Sequence, residues 1–419
     1  MRYFCFVKIL FVANRMPYPP YRGDKLKIYN LARELCVYHE LHLITIAENQ
    51  EDLDSVSALQ KPLFDLGNSG SSPSNSGDGI QLFDSIQYVY RPKWRSILSS
   101  AIGLFSKRPI QVSFFRSKPF AKQLKQLLDN HHFDAIHVQH LRMAQYFEDG
   151  APSNAILDLP DAFSLYWKRR QSAAKNPFDR AFRRLEFSRL ANYEKLMLPK
   201  FSQSLVCSTE DREYLINAGM TNVDVLPNGV NLKSFSPQGS DAIIKNRILF
   251  TGNMDYAPNI DAVQYFVDEI FPLILEKHPE AHFVIAGQRP VKAVFELASD
   301  RIQVTGFIEN LASEYAKANV VVSPLRIGAG TQNKVLEALA MNQAVVCSKV
   351  GFLGLGLKSG VGILMGETAR DFANHVVSIL TSEELRKRLG ETGGQHVRST
   401  FAWSGISQQL LSYFEKIKS

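Results

Sequence analysis

Short β-branched runs that alternate with helical periodicity constrain this chain more than any other feature. KILFVAN at 8–14 is apolar between its two ends, as a strand buried on both faces must be. DKLKIYNLARELCVY at 24–38 follows with apolar residues at helical spacing, and LHLITIA at 41–47 is apolar again. Strand, helix and strand so close together form a βαβ unit, whose two strands run parallel. The first strand is expected over Phe6–Ala13. Lys8 interrupts the apolar start and no small-residue cleavage site follows, which argues against a leader peptide.

The pattern continues with DAIHVQ, AILDLPD and QSLVCST at 134–139, 155–161 and 203–209, then VDVLPNGVN at 223–231. A second alternating series opens at 247 with RILFTGN. It runs through a helix at 259–277, HFVIAG, IQVTGF and NVVVSPL, and closes with AVVCSK and VGILM. At 419 residues the chain is too long for one core. The reading is α/β: two doubly wound parallel-sheet domains. The first spans 1–231, a linker follows at 232–245, the second spans 246–400, and an amphipathic helix occupies 401–419. GNSGSSPSNSGDG at 67–79 is expected to be a flexible surface loop.

Lysine and arginine number 48 against 41 acidic residues, a net charge of +7. That favours acidic partners: phosphorylated ligands, anionic lipid or nucleic acid. Residues 91–122 hold eight basic residues and no acidic one, and 168–200 are basic again. These stretches read either as solvated helical faces or as contacts for anionic headgroups. No aromatic platform or known binding signature is interleaved with them, which disfavours nucleic acid. No apolar run reaches about 18 residues, so no membrane-spanning helix is expected. Cys5, Cys36, Cys207 and Cys347 lack metal-ligand spacing and read as buried thiols of a reducing compartment.

Ligands of open α/β sheets bind beyond the carboxyl ends of the strands. There the second series places Gly252-Asn253, Gly287-Gln288-Arg289, Gly306, and Arg326-Ile327-Gly328-Ala329-Gly330 leading into TQNKVLEALAM. Glycines let backbone approach a ligand, and a helix N-terminus adds N–H donors and partial positive charge. Thr331 is the expected N-cap, Asn342 the expected stop. Arg326 and Lys334 flank the turn with formal charge. Together these residues describe a phosphate or diphosphate site. Glu337 would oppose a phosphate that it touched. It fits either as an acceptor for sugar hydroxyls or as a surface glutamate.

GAGTQNKVLEALAM resembles the nucleotide-sugar motif of glycosyltransferase family 4, retaining enzymes with the two-Rossmann GT-B fold. PPYRGDKLKIYNLAREL is similar to that family's first glycine loop and helix, and LPNGVNLKSFSP to its Asn-Gly-Val-Asp segment. LFTGNMDYAPNIDAVQYFVDEIFP with QNKVLEA resembles one subgroup, the sugar transferases associated with exosortase and PEP-CTERM exopolysaccharide clusters. The resemblance implies two domains facing across a cleft and a terminal helix, beginning near Trp403, that crosses back to the first domain.

It also implies site roles. Glu337 matches the glutamate that binds the nucleotide ribose. Its usual partner would fall at Ala329, and the usual arginine near Asn253, so both are missing. Arg326 and Lys334 are expected to neutralise the diphosphate in their place. Gly252, Asn253, Gly306, Gly328, Gly330, Thr331 and Asn333 are expected to line the donor, with Gly23 and Asp24 covering it from the first domain. The family's reaction-centre histidine would fall at Gln139. His140, one residue later, is the candidate for that catalytic role and could face the cleft, although a strand that continued would turn it to the opposite face. Asp158 and Asp161 would bind acceptor hydroxyls or cap a turn.

The implied reaction moves a sugar from a nucleoside diphosphate sugar, a UDP-sugar foremost, to a saccharide or lipid-linked acceptor in exopolysaccharide synthesis. No cofactor is expected, and no Asp-x-Asp metal motif is present. The expected location is cytoplasmic, or peripheral on the cytoplasmic face of the inner membrane. Two alternatives stay open: a nucleotide-sugar 2-epimerase, and a catalytically degenerate nucleotide-sugar-binding scaffold.

Overall fold

The computed structural model describes residues 6–20, 23–61, 80–172, 176–237, 242–328 and 330–418. The loop expected at 67–79 lies outside them, as does Ala329. The chain divides into two units, Met1–Leu226 with Trp403–Ser419, and Pro227–Ala402. Residues 227–231 and the stretch read as a linker therefore belong to the second unit.

The first unit is built on one parallel sheet. Its strands are β1 (Lys8–Val12), β2 (Glu40–Ala47), β3 (Ser85–Tyr90), β4 (Ala135–Gln139), β5 (Ala155–Asp158), β6 (Gln203–Val206) and β7 (Val223–Val225). Their order is β3-β2-β1-β4-β5-β6-β7. β1 is shorter than expected, and Phe6 lies exposed outside it. Alternate residues serve opposite faces. Leu10, Val12, Ile136 and Val138 belong to one core, and Ile9, Phe11, Ala135 and Ile156 to the other. The helix Trp403–Lys418 closes the second of these, with Trp403, Ile406, Leu410 and Phe414 packed in the same cluster as Ile9 and Phe11.

The second unit repeats the logic with β8 (Arg247–Thr251), β9 (His282–Ala286), β10 (Ile302–Gly306), β11 (Val320–Ser323), β12 (Val345–Cys347) and β13 (Leu364–Met365). The order is β10-β9-β8-β11-β12-β13, all parallel. β8 and β11 are neighbours although two strands intervene in sequence. Build-out of the sheet reverses between them, which opens a crevice at their carboxyl ends. The expected helix at 259–277 is three pieces: Ala257–Tyr265, a wider turn at Phe266–Ile270, and Phe271–Lys277. Pro272 has no N–H to give, and the Phe271 N–H reaches back to the Phe266 carbonyl instead.

The helix Asn333–Ala340 stops where the sequence said it would. Asn342 is left-handed, with φ 56°. Its N–H donates to the Leu339 carbonyl (2.9 Å) and the Gln343 N–H to the Ala338 carbonyl (2.9 Å), a Schellman closure. The helix Glu383–Thr400 lies hard against that turn. A Cβ at Gly390 would sit 2.0 Å from the Asn342 carbonyl oxygen, so backbone there approaches backbone. Arg398 Nη1 adds a bond to Asn342 Oδ1 (2.7 Å). This contact fixes the C-terminal end of the helix whose other end meets the crevice.

Alanine ordinarily gains about 1 kcal/mol over glycine inside a helix. At Gly390 the clash should win, since forced overpacking costs about 1–3 kcal/mol. Gly390→Ala should therefore lower the urea midpoint of the second unit. Gly405→Ala, in the terminal helix with open space around it, should not. Equal midpoints for the two variants would show that Asn342 gives way.

Candidate functional site

At the crevice of the second sheet, β8 runs out into Gly252-Asn253 and β9 into Gly287. The Gly252 N–H donates to the Ala286 carbonyl (3.0 Å). A Cβ on residue 287 would lie 1.7 Å from the Gly252 carbonyl oxygen, so only glycine fits. At Gly252 a Cβ would meet Asn259 Nδ2 at 2.7 Å and Lys334 Nζ at 3.2 Å. The bare backbone thus brings the strand end, the following helix and the helix Asn333–Ala340 to one point.

Lys334 occupies that point. Its Nζ donates to Asn259 Oδ1 (2.6 Å) and lies 4.1 Å from the centre of the Phe250 ring. Asn259 Nδ2 donates in turn to the Asn253 carbonyl (2.9 Å). Burial drives the Lys334 pKa down from 10.5 to about 7, against a smaller upward pull from Glu337. An anion arriving here would restore the full charge.

Glu337 is one turn further along the same helix face. Tyr315 Oη donates to its Oε2 (2.9 Å) and is itself paired with Thr251 Oγ1 (2.7 Å). Glu337 Oε1 has no hydrogen-bond donor among the described residues. Burial raises the Glu337 pKa, while the Tyr315 bond and Lys334 oppose that shift. This is a held, half-buried carboxylate with one oxygen open, which the surface-glutamate reading does not describe.

The remaining expected donor residues lie at or beyond the carboxyl ends of β8, β10 and β11. Asn253 Oδ1 accepts from Gln288 Nε2 (2.9 Å), and Asn333 Oδ1 from Asn228 Nδ2 (3.3 Å). Gly306 and Gly330 are left-handed, with φ 74° and 66°. A Cβ at Gly328 would meet Val350 at 2.9 Å. Two expectations need correction. Thr331 is buried and is not the N-cap. Gln332 is, without a side-chain capping bond, because the helix begins only at Asn333. Arg326 is not an uncommitted cation. It forms a two-pronged pair with Asp261 (3.0 and 2.6 Å) and stacks 4.6 Å from the Tyr265 ring centre. Phe250, Asn259 and Asp261 were missed because each is set by tertiary contact with Lys334 or Arg326, over 60 positions away in sequence, and Tyr315 because its partners Thr251 and Glu337 lie 64 and 22 positions away.

In the first unit, Asp158 does not face a ligand. Lys27 Nζ donates to its Oδ1 (2.7 Å) and His137 Nε2 pairs with its Oδ2 (3.0 Å), all fully buried. A buried carboxylate needs such partners, and both of its oxygens are used. Asp161 is half-buried. Burial first, and the Asp211 carboxylate second, push it well above the ordinary carboxylate range.

His140 departs from the strand argument. β4 ends at Gln139, and His140 has φ 80° as the N-cap of the turn Leu141–Ala144, so strand alternation no longer sets its direction. Its Nδ1 accepts from the Arg142 N–H (3.3 Å), its ring meets Phe163 edge-on at 4.5 Å, and burial, then Arg142, hold the imidazole neutral. Positive φ at a buried non-glycine residue is strain of the kind found at functional sites. Gly23 opens the helix Gly23–Leu35. Asp24 pairs with Arg15 (2.9 Å), and its carbonyl accepts from Gln139 Nε2 (2.6 Å). Asn14, two residues past the end of β1, is fully buried, with neither amide atom partnered among the described residues.

Residues 245–382 match the family described as "Glycosyl transferases group 1". The chain is 21% identical over 140 residues to an "Uncharacterized 44.6 kDa protein in cps region" of Klebsiella pneumoniae, covering 31% of this chain and 36% of that protein. It is 24% identical over 207 residues to the gpi3 subunit of phosphatidylinositol N-acetylglucosaminyltransferase of Schizosaccharomyces pombe, covering 47% and 44%. The matches span less than half of either relative. Among solved structures, HepE from Anabaena in complex with UDP and glucose superposes with a TM-score of 0.66 at 13% identity, covering 98% of this chain and 99% of that one. The fold is α/β of the GT-B class, and the matched segment holds the Lys334 and Glu337 site.

The Lys334 environment has a measurable signature. The folded pKa of about 7 lies below the unfolded value near 10.4, so between them the unfolded chain binds more protons and stability rises with pH. From pH 7 to 9 the wild type should gain on Lys334→Met by on the order of 1 kcal/mol per pH unit in denaturant unfolding. Parallel pH profiles would mean that the ammonium is solvated.

Proposed function

We propose that this chain is a glycosyltransferase that moves a hexosyl unit from a nucleoside diphosphate sugar to a saccharide acceptor. The observation that carries the proposal is the pairing of Lys334, seated on Phe250 beside Gly252, with Glu337, held by Tyr315 one turn away. A cation next to bare backbone suits a diphosphate, and a half-open carboxylate next to it suits a ribose diol. The match of residues 245–382 to group 1 glycosyltransferases supports the same reading. UDP is the proposed nucleotide, in keeping with the fold shared with a protein solved with UDP and glucose.

In this proposal the bond from the sugar's anomeric carbon to the β-phosphate oxygen breaks, and its electron pair leaves with the diphosphate. The anomeric carbon bonds to the acceptor oxygen, whose proton passes to the departing phosphate. Charge grows on the diphosphate during the step. Lys334 and the N-terminus of the helix Asn333–Ala340 stabilise it there, before any rearrangement is needed. Retention requires the acceptor to arrive on the face that the diphosphate leaves. Arg326 takes part only if the diphosphate draws it from Asp261.

We assign acceptor recognition to the first unit. There His140, neutral and buried, can exchange hydrogen bonds with a sugar hydroxyl without adding charge. A lipid-linked acceptor, a place in exopolysaccharide assembly and a peripheral membrane location complete the proposal. They are supported by the subgroup resemblance and by the basic first unit.

Calorimetric titration with UDP, GDP and ADP tests the donor site. UDP should bind, and Glu337→Ala should weaken it tenfold or more while inorganic pyrophosphate binding changes less. If no nucleotide binds, the donor assignment fails. If Glu337→Ala binds UDP normally, the ribose role fails alone.

A further inference from the structure

The helix Lys93–Gly103 is packed the wrong way round for a soluble protein. Its inward face is small and polar: Ser96, Ser99, Ser100 and Gly103, at i, i+3, i+4 and i+7. The contacts on that side are specific. Arg91, buried, donates to the Ser96 and Ser99 hydroxyls and to the Phe114 carbonyl. At Gly103 a Cβ would come within 2.6 Å of Ser113. Arg189 Nη2 then ties down the Leu104 carbonyl (2.8 Å). The segment is therefore held in place by its polar side.

Its outward side carries the large apolar groups. Trp94, Ile97, Leu98 and Ile102 repeat at helical spacing, and Leu104 and Phe105 extend the row. All six are exposed, Trp94 by 61% and Phe105 by 95%. Scattered exposed leucines are ordinary in any protein, but a helical stripe that ends in an unburied phenylalanine is not. The charge carried by the segment itself has one sign. Lys93, Arg95 and Lys107 are exposed beside the stripe, and no acidic residue occurs from 91 to 122. The adjoining helix Pro177–Met197 adds exposed Phe178 and Phe182 together with Arg180 and Arg184.

We propose that this face of the first unit docks on the headgroup layer of an anionic bilayer. Apolar side chains enter the acyl boundary while lysine and arginine neutralise phosphate. A water-soluble protein partner would have to match a stripe of indole and aliphatic groups bordered mainly by cations. A membrane surface supplies both complements at once. The inference deepens the peripheral location proposed above, and its test involves no sugar transfer, so the two can fail separately.

The chain carries its own reporter. Of three tryptophans, Trp167 and Trp403 are 7% and 3% exposed, which leaves Trp94 as the one that can meet lipid. The full chain is mixed with vesicles of phosphatidylcholine alone, or with a third phosphatidylglycerol, some carrying brominated acyl chains. Co-sedimentation should occur with the anionic vesicles, with quenching of Trp94 emission by brominated lipid and little with neutral ones. The variant W94S/I97S/L98S should partition at least tenfold less while keeping its UDP titration and far-ultraviolet spectrum. K93A/R95A/K107A should lose the preference for anionic lipid. Absence of binding overturns the proposal, and so does binding without bromine quenching, since another face would then be docking. A dimer in sedimentation velocity that the triple serine variant dissolves would assign the stripe to a second copy instead.

Discussion

A parallel sheet cannot leave either face in water, and that constraint shapes both units. Its crossover helices must cover both sides, so β1, β4, β5 and β6 are buried along nearly their whole length. Covering both sides forces the build-out to reverse once, between β1 and β4 and again between β8 and β11. Backbone ends that diverge to opposite faces leave a crevice no side chain of the core can fill. The polar residues that cannot be accounted for by packing collect there: Asn14, Asp24 and His140 in one unit, Asn253, Asn259, Lys334 and Glu337 in the other.

Buried charge shows how differently the two edges are used. Lys27, Asp158 and His137 close on one another, with the Leu226 carbonyl as a further acceptor for Lys27 (2.8 Å). Such a network holds strand ends together, with both Asp158 oxygens and the Lys27 ammonium already committed. Lys334 meets its own desolvation with one amide oxygen and one aromatic ring, and its pKa falls accordingly. An ammonium left short of partners is one that gains when an oxyanion arrives. The distinction between a structural and a ligand-binding lysine is thus in the partner count, which no spacing rule reports.

The sequence carried the architecture well because apolar periodicity is a local signal. Both strand series, the stop at Asn342 and the terminal helix follow from residues within a few positions of one another. Lys334 and Glu337 stood out in the sequence because a core helix opens there with groups a core does not want, and the candidate site is built around them. It was misread wherever a distant side chain decides. Arg326 looked available until Asp261, 65 residues earlier, is placed beside it. Asp158 sits at a strand end like a ligand residue, yet Lys27, 131 residues earlier, takes it inward. His140 was assigned a direction from strand alternation, and the chain leaves the strand one residue before it.

The helix Lys93–Gly103 shows the complementary failure of periodicity. Its apolar spacing announces a helix with one greasy face, and ordinary reasoning turns that face to the core. Serine and glycine at the opposite positions allow something else. They let the helix approach closely through hydroxyl bonds to Arg91 and through the gap at Gly103, without any large side chain in the contact. The inward contacts are polar and close, so the apolar face is released from structural duty. A pattern of small residues at i, i+3, i+4 and i+7 opposite a stripe of large ones is itself a sequence signal. It separates a helix that is amphipathic toward its own core from one that is amphipathic toward something else, and here the surrounding lysines and arginines name the chemistry of that something.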